Sequence, residues 1–357
     1  MNGRRTAIDT HAEEKLDMEA LCPTWTVSVS PHLKSAESVA RVMWTVAACL
    51  VPSLILSVLI FGFQCLIIAL VSAGSCAATE AITQKLLHRP ITVRDGSAVV
   101  TGLLLAFVIP PGVPYWLPVL GAVMSIYVAK HLFGGIGFNI FNPALIGRAF
   151  LMATFPVAMT SAWLAPASNA GIFRFMSGID AVTTATPLYV LKHQGLGALV
   201  EKFGSLATIY GNFLIGWRPG CIGETSVLFL LIGGLFLMYR GYITWHTPVS
   251  MIVSVGFFSW VFGGESLFTG NPVLAVLSGG VVLGAFFMAT DYVTSPSGAT
   301  AKLVFGTGIG ILTVLIRLKG GYPEGVCYAI LLMNPLSPAL EGWFKPERFA
   351  PPKGATK

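Results

Sequence analysis

The sequence predicts an all-α integral membrane protein of about ten transmembrane helices, and three observations carry that prediction. Across 357 residues the chain is 54% hydrophobic and only 11% charged, with a mean hydropathy of +0.75, whereas soluble domains carry about 25% charged residues. Its apolar runs are continuous and do not alternate with polar positions, so the spanning elements are helices and not the strands of a barrel. Lysine and arginine are shared unevenly among the polar segments between those runs.

Residues 1–37 are polar and mixed in charge, without an apolar core, and read as a cytoplasmic leader, not a cleavable signal peptide. Spans are expected at roughly 39–61, 64–84, 97–110, 114–132 and 143–159, then at 224–240, 245–262, 271–290, 301–318 and 325–343. Several fall short of the roughly 20 residues a full crossing needs. Short or Pro/Gly-broken spans mark places where irregular backbone lines a cavity. The organisation is therefore a first membrane repeat at 38–159, a polar loop at 160–223, a second repeat at 224–344 and a tail at 345–357. With the amino terminus inside, the cytoplasmic segments hold 16 of the 22 Lys and Arg residues. Four of the remaining six (Arg174, Lys192, Lys202 and Arg218) lie in the long loop, where charge counts least. Both termini are thus cytoplasmic and the 160–223 loop faces outside.

Five spans on each side of the loop would make the two halves inverted relative to each other. Pro114–Lys130 and Pro272–Thr290 share a proline-led, Gly/Ala/Val-rich texture, each followed by a polar break. Gly280-x-x-x-Gly284 and Gly306-x-x-x-Gly310 have the spacing of close helix contacts, although glycine is common in membrane helices generally. The six cysteines form no C-x-x-C pair and read as small packing residues, so no metal or iron–sulfur ligation is expected. The net charge of +6 fits membrane topology and does not point to nucleic acid.

Four segments carry candidate chemistry. In Asp180-Ala181-Val182-Thr183-Thr184-Ala185-Thr186-Pro187-Leu188, three hydroxyls fall in four positions within the longest polar interruption. Thr186-Pro187 alone is a helix start, threonine as N-cap and proline at the first position. A phosphate esterified to Thr186 would also be well placed there, facing free N–H groups and the positive end of the helix dipole. The second segment, Gly134 to Phe150, offers close backbone approach at Gly135, polar groups at Asn139 and Asn142, and planar faces at Phe138 and Phe141. It is a re-entrant turn or a wall for a planar or phosphate-bearing cofactor. Arg148, one turn into an apolar run, needs a partner or the interface. The third, Arg94 to Gly102, enters the short third span, with Asp95 as an N-cap. The fourth, Met288 to Thr300, occupies the matching place in the second half. Glu80 and Asp291 are the acids to consider for an ion path, with interfacial snorkelling the plainer reading for each.

Together these segments, with Val29-Ser30-Pro31-His32-Leu33-Lys34-Ser35 in the leader, resemble the RnfD/NqrB family. Its members are the D-type component of the Rnf electron-transport complex and the related B-type component of the sodium-pumping NADH:quinone oxidoreductase. The resemblance covers nearly the whole chain, and the Asp180–Leu188 segment is its most specific part. It implies FMN attached through a phosphoester to Thr186 by a separate flavin transferase, with Asp180, Thr183 and Thr184 around it. It implies a second, noncovalent flavin, riboflavin, within the membrane, and a fold like that of urea transporters with two inverted five-helix halves. It further implies the other Rnf subunits (A, B, C, E and G) as partners, with ferredoxin and NAD⁺ reached through them, in the bacterial cytoplasmic (inner) membrane. Electron flow would be coupled to Na⁺ or H⁺ movement. The chain itself lacks a G-x-G-x-x-G on a βαβ unit for NAD. The motif of the B-type relative, S-G-A-T, occurs here as Ser297-Gly298-Ala299-Thr300, but charge bias places Thr300 on the cytoplasmic side, so Thr186 is the expected anchor. A small-solute channel on the same fold and a quinone-reducing component of the sodium-pumping complex are the alternative readings.

Overall fold

The computed structural model describes residues 37–164, 166, 186–264, 266–321 and 324–344. Among these, every regular element is helical. Helices α1 (Val39–Phe61) and α2 (Gln64–Leu86) are followed by the shorter α3 (Ser97–Phe107). Helix α4 (Trp116–Val123) passes directly into a π-helical stretch, Met124–His131. The expected span at 143–159 divides at Phe155 into α5 (Pro143–Thr154) and α6 (Pro156–Ser161).

The described part of the 160–223 loop is largely helical, beyond the helix start its sequence marked at Thr186-Pro187: α7 (Pro187–Phe203) and α8 (Leu206–Ile215). Val190, Leu199, Ile209 and Phe213 from these two helices close a small separate core over Leu274. Helices α9 (Val227–Tyr239) and α10 (His246–Phe262) open the second half. The span expected at 271–290 is broken at Ser278–Gly280 into α11 (Pro272–Leu277) and α12 (Val281–Leu283), which continues as a second π-helical stretch, Gly284–Met288. Helix α13 (Ala299–Lys319), then α14 (Val326–Met333) and α15 (Ser337–Trp343), complete the described chain.

Three of these helices, α1, α2 and α13, are long and apolar enough to cross a membrane, and five more apolar helices run 10–17 residues. Exposed apolar residues recur at helical spacing along outward faces: Val51, Ile55 and Leu59 on α1, and Val249, Val253, Phe257 and Trp260 on α10. Water would not tolerate such stripes, whereas lipid tails cover them without cost.

The two proline-led segments share more than texture: each starts as α-helix and ends as π-helix. Leu132 N–H donates to the Tyr127 carbonyl and Ala289 N–H to the Gly284 carbonyl, both five residues back. Between the halves, α1 packs on α9 and α5 on α14. Of the two glycine pairs, Gly306 and Gly310 on α13 form a true close contact with α10, where added methyl groups would overlap the Ser250 and Ser254 hydroxyls. Gly280 faces open space, so the first pair is not a matching seam, although Gly284 is pressed against Val326.

Candidate functional site

The site residues fall into three places. The first is a cavity of about 100 Å³ at the ends of both π-helical stretches, lined by Lys130, Asn139, Asn142, Phe286, Phe287 and Asp291 among others. Asn142 caps α5, its side-chain oxygen accepting from the backbone N–H groups of Ala144 (3.1 Å) and Leu145 (3.4 Å). Its amide nitrogen donates to the Met288 carbonyl at 3.2 Å, tying the start of α5 to the second π-helix. Asn139 donates to the Phe141 carbonyl at 3.2 Å and also bonds the Asp291 carboxylate. Burial pushes the Asp291 carboxyl above its ordinary range, opposed by hydrogen bonds from the Thr294 hydroxyl, the backbone N–H groups of Val293 and Tyr292, and Asn139.

Lys130, fully enclosed, donates to both Glu80 oxygens (2.8 and 2.9 Å) and to Ser97 Oγ (2.8 Å). Ser97 in turn donates to Asp95 Oδ1 at 2.8 Å. Asp95 therefore does cap α3, from one position earlier than a simple N-cap: Gly96 intervenes with φ at 79°, and the Asp95 carboxylate receives the Ser97 backbone N–H at 2.8 Å. Glu80 also accepts from Gln84 at 3.2 Å. It does not snorkel to the interface; it is a buried, paired acid. Gly135 does not line this cavity. It lies in the turn after the first π-helix with φ at 107°, its N–H on the Lys130 carbonyl.

The second place is Thr186. Asp180, Thr183 and Thr184 lie outside the described residues. Thr186 is the N-cap of α7, its hydroxyl accepting from the Tyr189 N–H at 3.3 Å, with Pro187 at the first helical position. This start of α7 is seated over the Ser278–Gly280 break. A methyl group on Gly279 would touch both Leu188 and the Arg317 guanidinium, and Lys192 donates to the Gly320 carbonyl. Thr186 is buried and Thr300 is exposed.

The third place was not foreseen. Arg148 does not snorkel either: it is ion-paired with Glu324 inside the protein. Glu224, Arg218, Cys221 and Arg317 complete a buried cluster around this pair. Cys221 Sγ and the two carboxylates approach within 4.8 Å of one another, a spacing that would suit a metal ion. Three guanidinium groups share the space, and one already occupies Glu324, so the chemistry of the donor set does not fit a cation. The signal for this cluster was present in the sequence, because an arginine in an apolar run requires an acid, and Glu224 and Glu324 stand near span ends.

A helical membrane protein emerges, with a polar-and-aromatic cavity at paired π-helices and a capped threonine on a separate helical insert. Its residues 26–350 match the model of the NQR2, RnfD, RnfE family, and the chain belongs to that family. It is 47% identical over 326 residues to the D subunit of the proton-translocating ferredoxin:NAD(+) oxidoreductase complex of Clostridium ljungdahlii, covering 91% of this chain and 96% of that one. It is 43% identical over 320 residues to the D subunit of the Na(+)-translocating ferredoxin:NAD(+) oxidoreductase complex of Acetobacterium woodii (90% and 93%). It is 37% identical over 350 residues to the D subunit of the ion-translocating oxidoreductase complex of Citrobacter koseri (90% and 97%).

Proposed function

We propose that this chain is the electron-carrying membrane component of an ion-translocating ferredoxin:NAD⁺ oxidoreductase complex of the Rnf type, with FMN esterified to Thr186. The near full-length match to three D subunits carries the reading. It acts with the other Rnf subunits (A, B, C, E and G) in the bacterial inner membrane, with Thr186 on the outer face. Ferredoxin and NAD⁺ react at those partners. When bound, FMN supplies the redox chemistry, while the protein supplies orientation and electrostatics.

The residues at Thr186 suit a phosphoester. The hydroxyl stands at the amino end of α7, where the positive end of the helix dipole favours an anion, and Pro187 fixes the backbone there. Because Thr186 is buried in this conformation, attachment by a transferase requires a state in which the hydroxyl is reachable. The lining of the cavity carries groups of the kinds a second, noncovalent flavin would use. Phe286 and Phe287 offer ring faces, while Asn139, Asn142, Asp291 and Lys130 offer donors and acceptors for a ring edge and a polyol chain. The α1–α9 and α5–α14 contacts pair the first spans and the fifth spans of the two halves and support the inverted-repeat architecture.

Peptide mapping of the purified complex, with flavin fluorescence in a denaturing gel, tests the anchor. Wild-type chain is expected to fluoresce and Thr186→Ala to be dark, with Thr300→Ala unchanged. Fluorescence retained in Thr186→Ala would remove the assignment. The ion is a separate matter, since the relatives from C. ljungdahlii and A. woodii differ in it at similar identity. Na⁺ dependence of turnover in this complex decides it.

A further inference from the structure

The buried cluster holds two carboxyls and three guanidiniums, but its hydrogen bonds are not distributed evenly. Arg148 binds Glu324. Arg218 gives its guanidinium to the Glu224 backbone carbonyl at 3.0 Å and lies 4.5 Å from the centre of the Phe213 ring. Arg317 donates to the carbonyls of Ala275 (2.6 Å) and Ser278 (2.8 Å). No guanidinium hydrogen-bonds the Glu224 carboxyl among the described residues, and its Oε1 finds no donor although the residue is only 6% exposed. The Glu224 carboxyl instead lies within 4.8 Å of the Glu324 carboxyl and of Cys221 Sγ. Two carboxyl groups this close do not both ionise easily, so the pair holds one proton. Glu324 already serves Arg148, so the proton belongs on Glu224.

The surroundings keep that proton exchangeable. Arg218 and Arg317 favour the carboxylate, while burial favours the acid. The other facing groups are Cys221 on the same turn and Cys327 on α14. The Ile222–Glu224 turn also packs against α1, α3 and α12, which present Ser57, Phe107 and Leu283 there. A cavity of about 20 Å³ adjoins Arg148, Arg317 and Glu324, room for about one water molecule, and Arg317 Nε is left without a partner. Arg317 also touches the Ser278–Gly280 break on which Leu188, two residues from Thr186, is seated.

We propose that Glu224 and Glu324 form a single-proton site whose occupancy follows the redox state of the flavin on Thr186. One electron added to the flavin, taken from the preceding carrier of the complex, is matched by one proton taken from water onto the pair. When the electron leaves to the next carrier, the proton returns to water. This rests on the flavin reading above.

The experiment is reduced-minus-oxidised infrared difference spectroscopy of the whole complex in H₂O and D₂O, with a redox titration of the covalent flavin against pH. The wild type is expected to show a carboxylic C=O band on reduction that shifts in D₂O. Glu224→Gln is expected to lose it and to flatten the pH dependence of the flavin potential, while keeping gel fluorescence. Glu224→Asp should restore a displaced band. A wild-type complex with covalent flavin but no such band overturns the proposal without any variant, as does a band unchanged in Glu224→Gln. If Thr186 carries no flavin, the gel shows that separately. A pH titration of the C=O band in the unreduced wild-type complex then tests the proton pair, and no titrating band would also overturn it.

Discussion

Two buried ionic arrangements lie in the same membrane protein and are built on opposite principles. In the cavity, Lys130 and Glu80 are one to one, and the ammonium's donors are met by Glu80 and Ser97. In the central cluster, three arginines meet two glutamates, and two of the guanidiniums are turned onto backbone carbonyls. The first is a closed account of charge, fixed in one state. The second has a surplus of positive charge and a carboxyl oxygen without a donor. Buried charge is retained at a cost in stability, so an arrangement left incomplete points to a changing charge nearby, and a complete one points to a structural fixture.

Paired substitutions break the comparison most strongly. Lys130→Met leaves Glu80 buried and unpaired and should cost about 3–5 kcal/mol, and Arg148→Met should cost as much at Glu324. Adding Glu80→Met to the first is expected to return most of the loss, because both charges are then gone. Adding Glu324→Met to the second is not, because Arg218, Arg317 and Glu224 remain. Thermal unfolding midpoints of the detergent-solubilised complex measure all four, and equal rescue in both pairs would erase the distinction.

A smaller effect sharpens the account of the closed pair. Ser97→Ala removes one acceptor from the Lys130 ammonium and should cost about 1.5–3 kcal/mol, the range for hydrogen bonds to charged groups, read in the same melts. The smallest expected effect concerns Asp291 at the mouth of the same cavity. Its carboxyl titrates above the ordinary value of 3.8 in the folded chain. The folded state therefore binds more protons than the unfolded one just above that pH, and stability falls as pH rises through this window. Asp291→Asn should abolish that part of the slope, and an unchanged melting profile would show that Asp291 is not responsible for it.

The sequence reported the membrane helices well, because continuous apolar runs admit one solution in lipid. The spans at 143–159 and 271–290 were read as continuous, and each is broken, at Phe155-Pro156 and at Ser278-Gly279-Gly280, residue types that interrupt helices. Helices α7 and α8 were hidden because their core is five residues deep, too few to stand out beside spans of twenty. The cluster was hidden for a different reason. Arg218 and Arg317 sit near span ends, where counting charges for topology assigns them to water, yet they are only 2% and 8% exposed. Only Arg148, stranded in an apolar run, asked for a partner. Thr186 was legible as a cap from Thr-Pro alone, and the cap is present, whereas nothing in local spacing reveals that the helix it caps seats Leu188 against the same Gly279 that Arg317 approaches.

The two π-helical stretches have a geometric consequence. A π turn accommodates about one residue more than an α turn, so Met124–His131 and Gly284–Met288 each hold surplus chain at the end of the helix they continue. Deleting one residue ahead of Lys130 or of Phe286 would remove that surplus and rotate the residues beyond it by about 100° relative to the helix before it. Lys130 would swing away from Glu80, and Phe286 and Phe287 would leave the cavity wall. Chain length is therefore a critical quantity in these two segments: a single-residue deletion there would do more harm than most substitutions, even though the hydropathy of the span would hardly change.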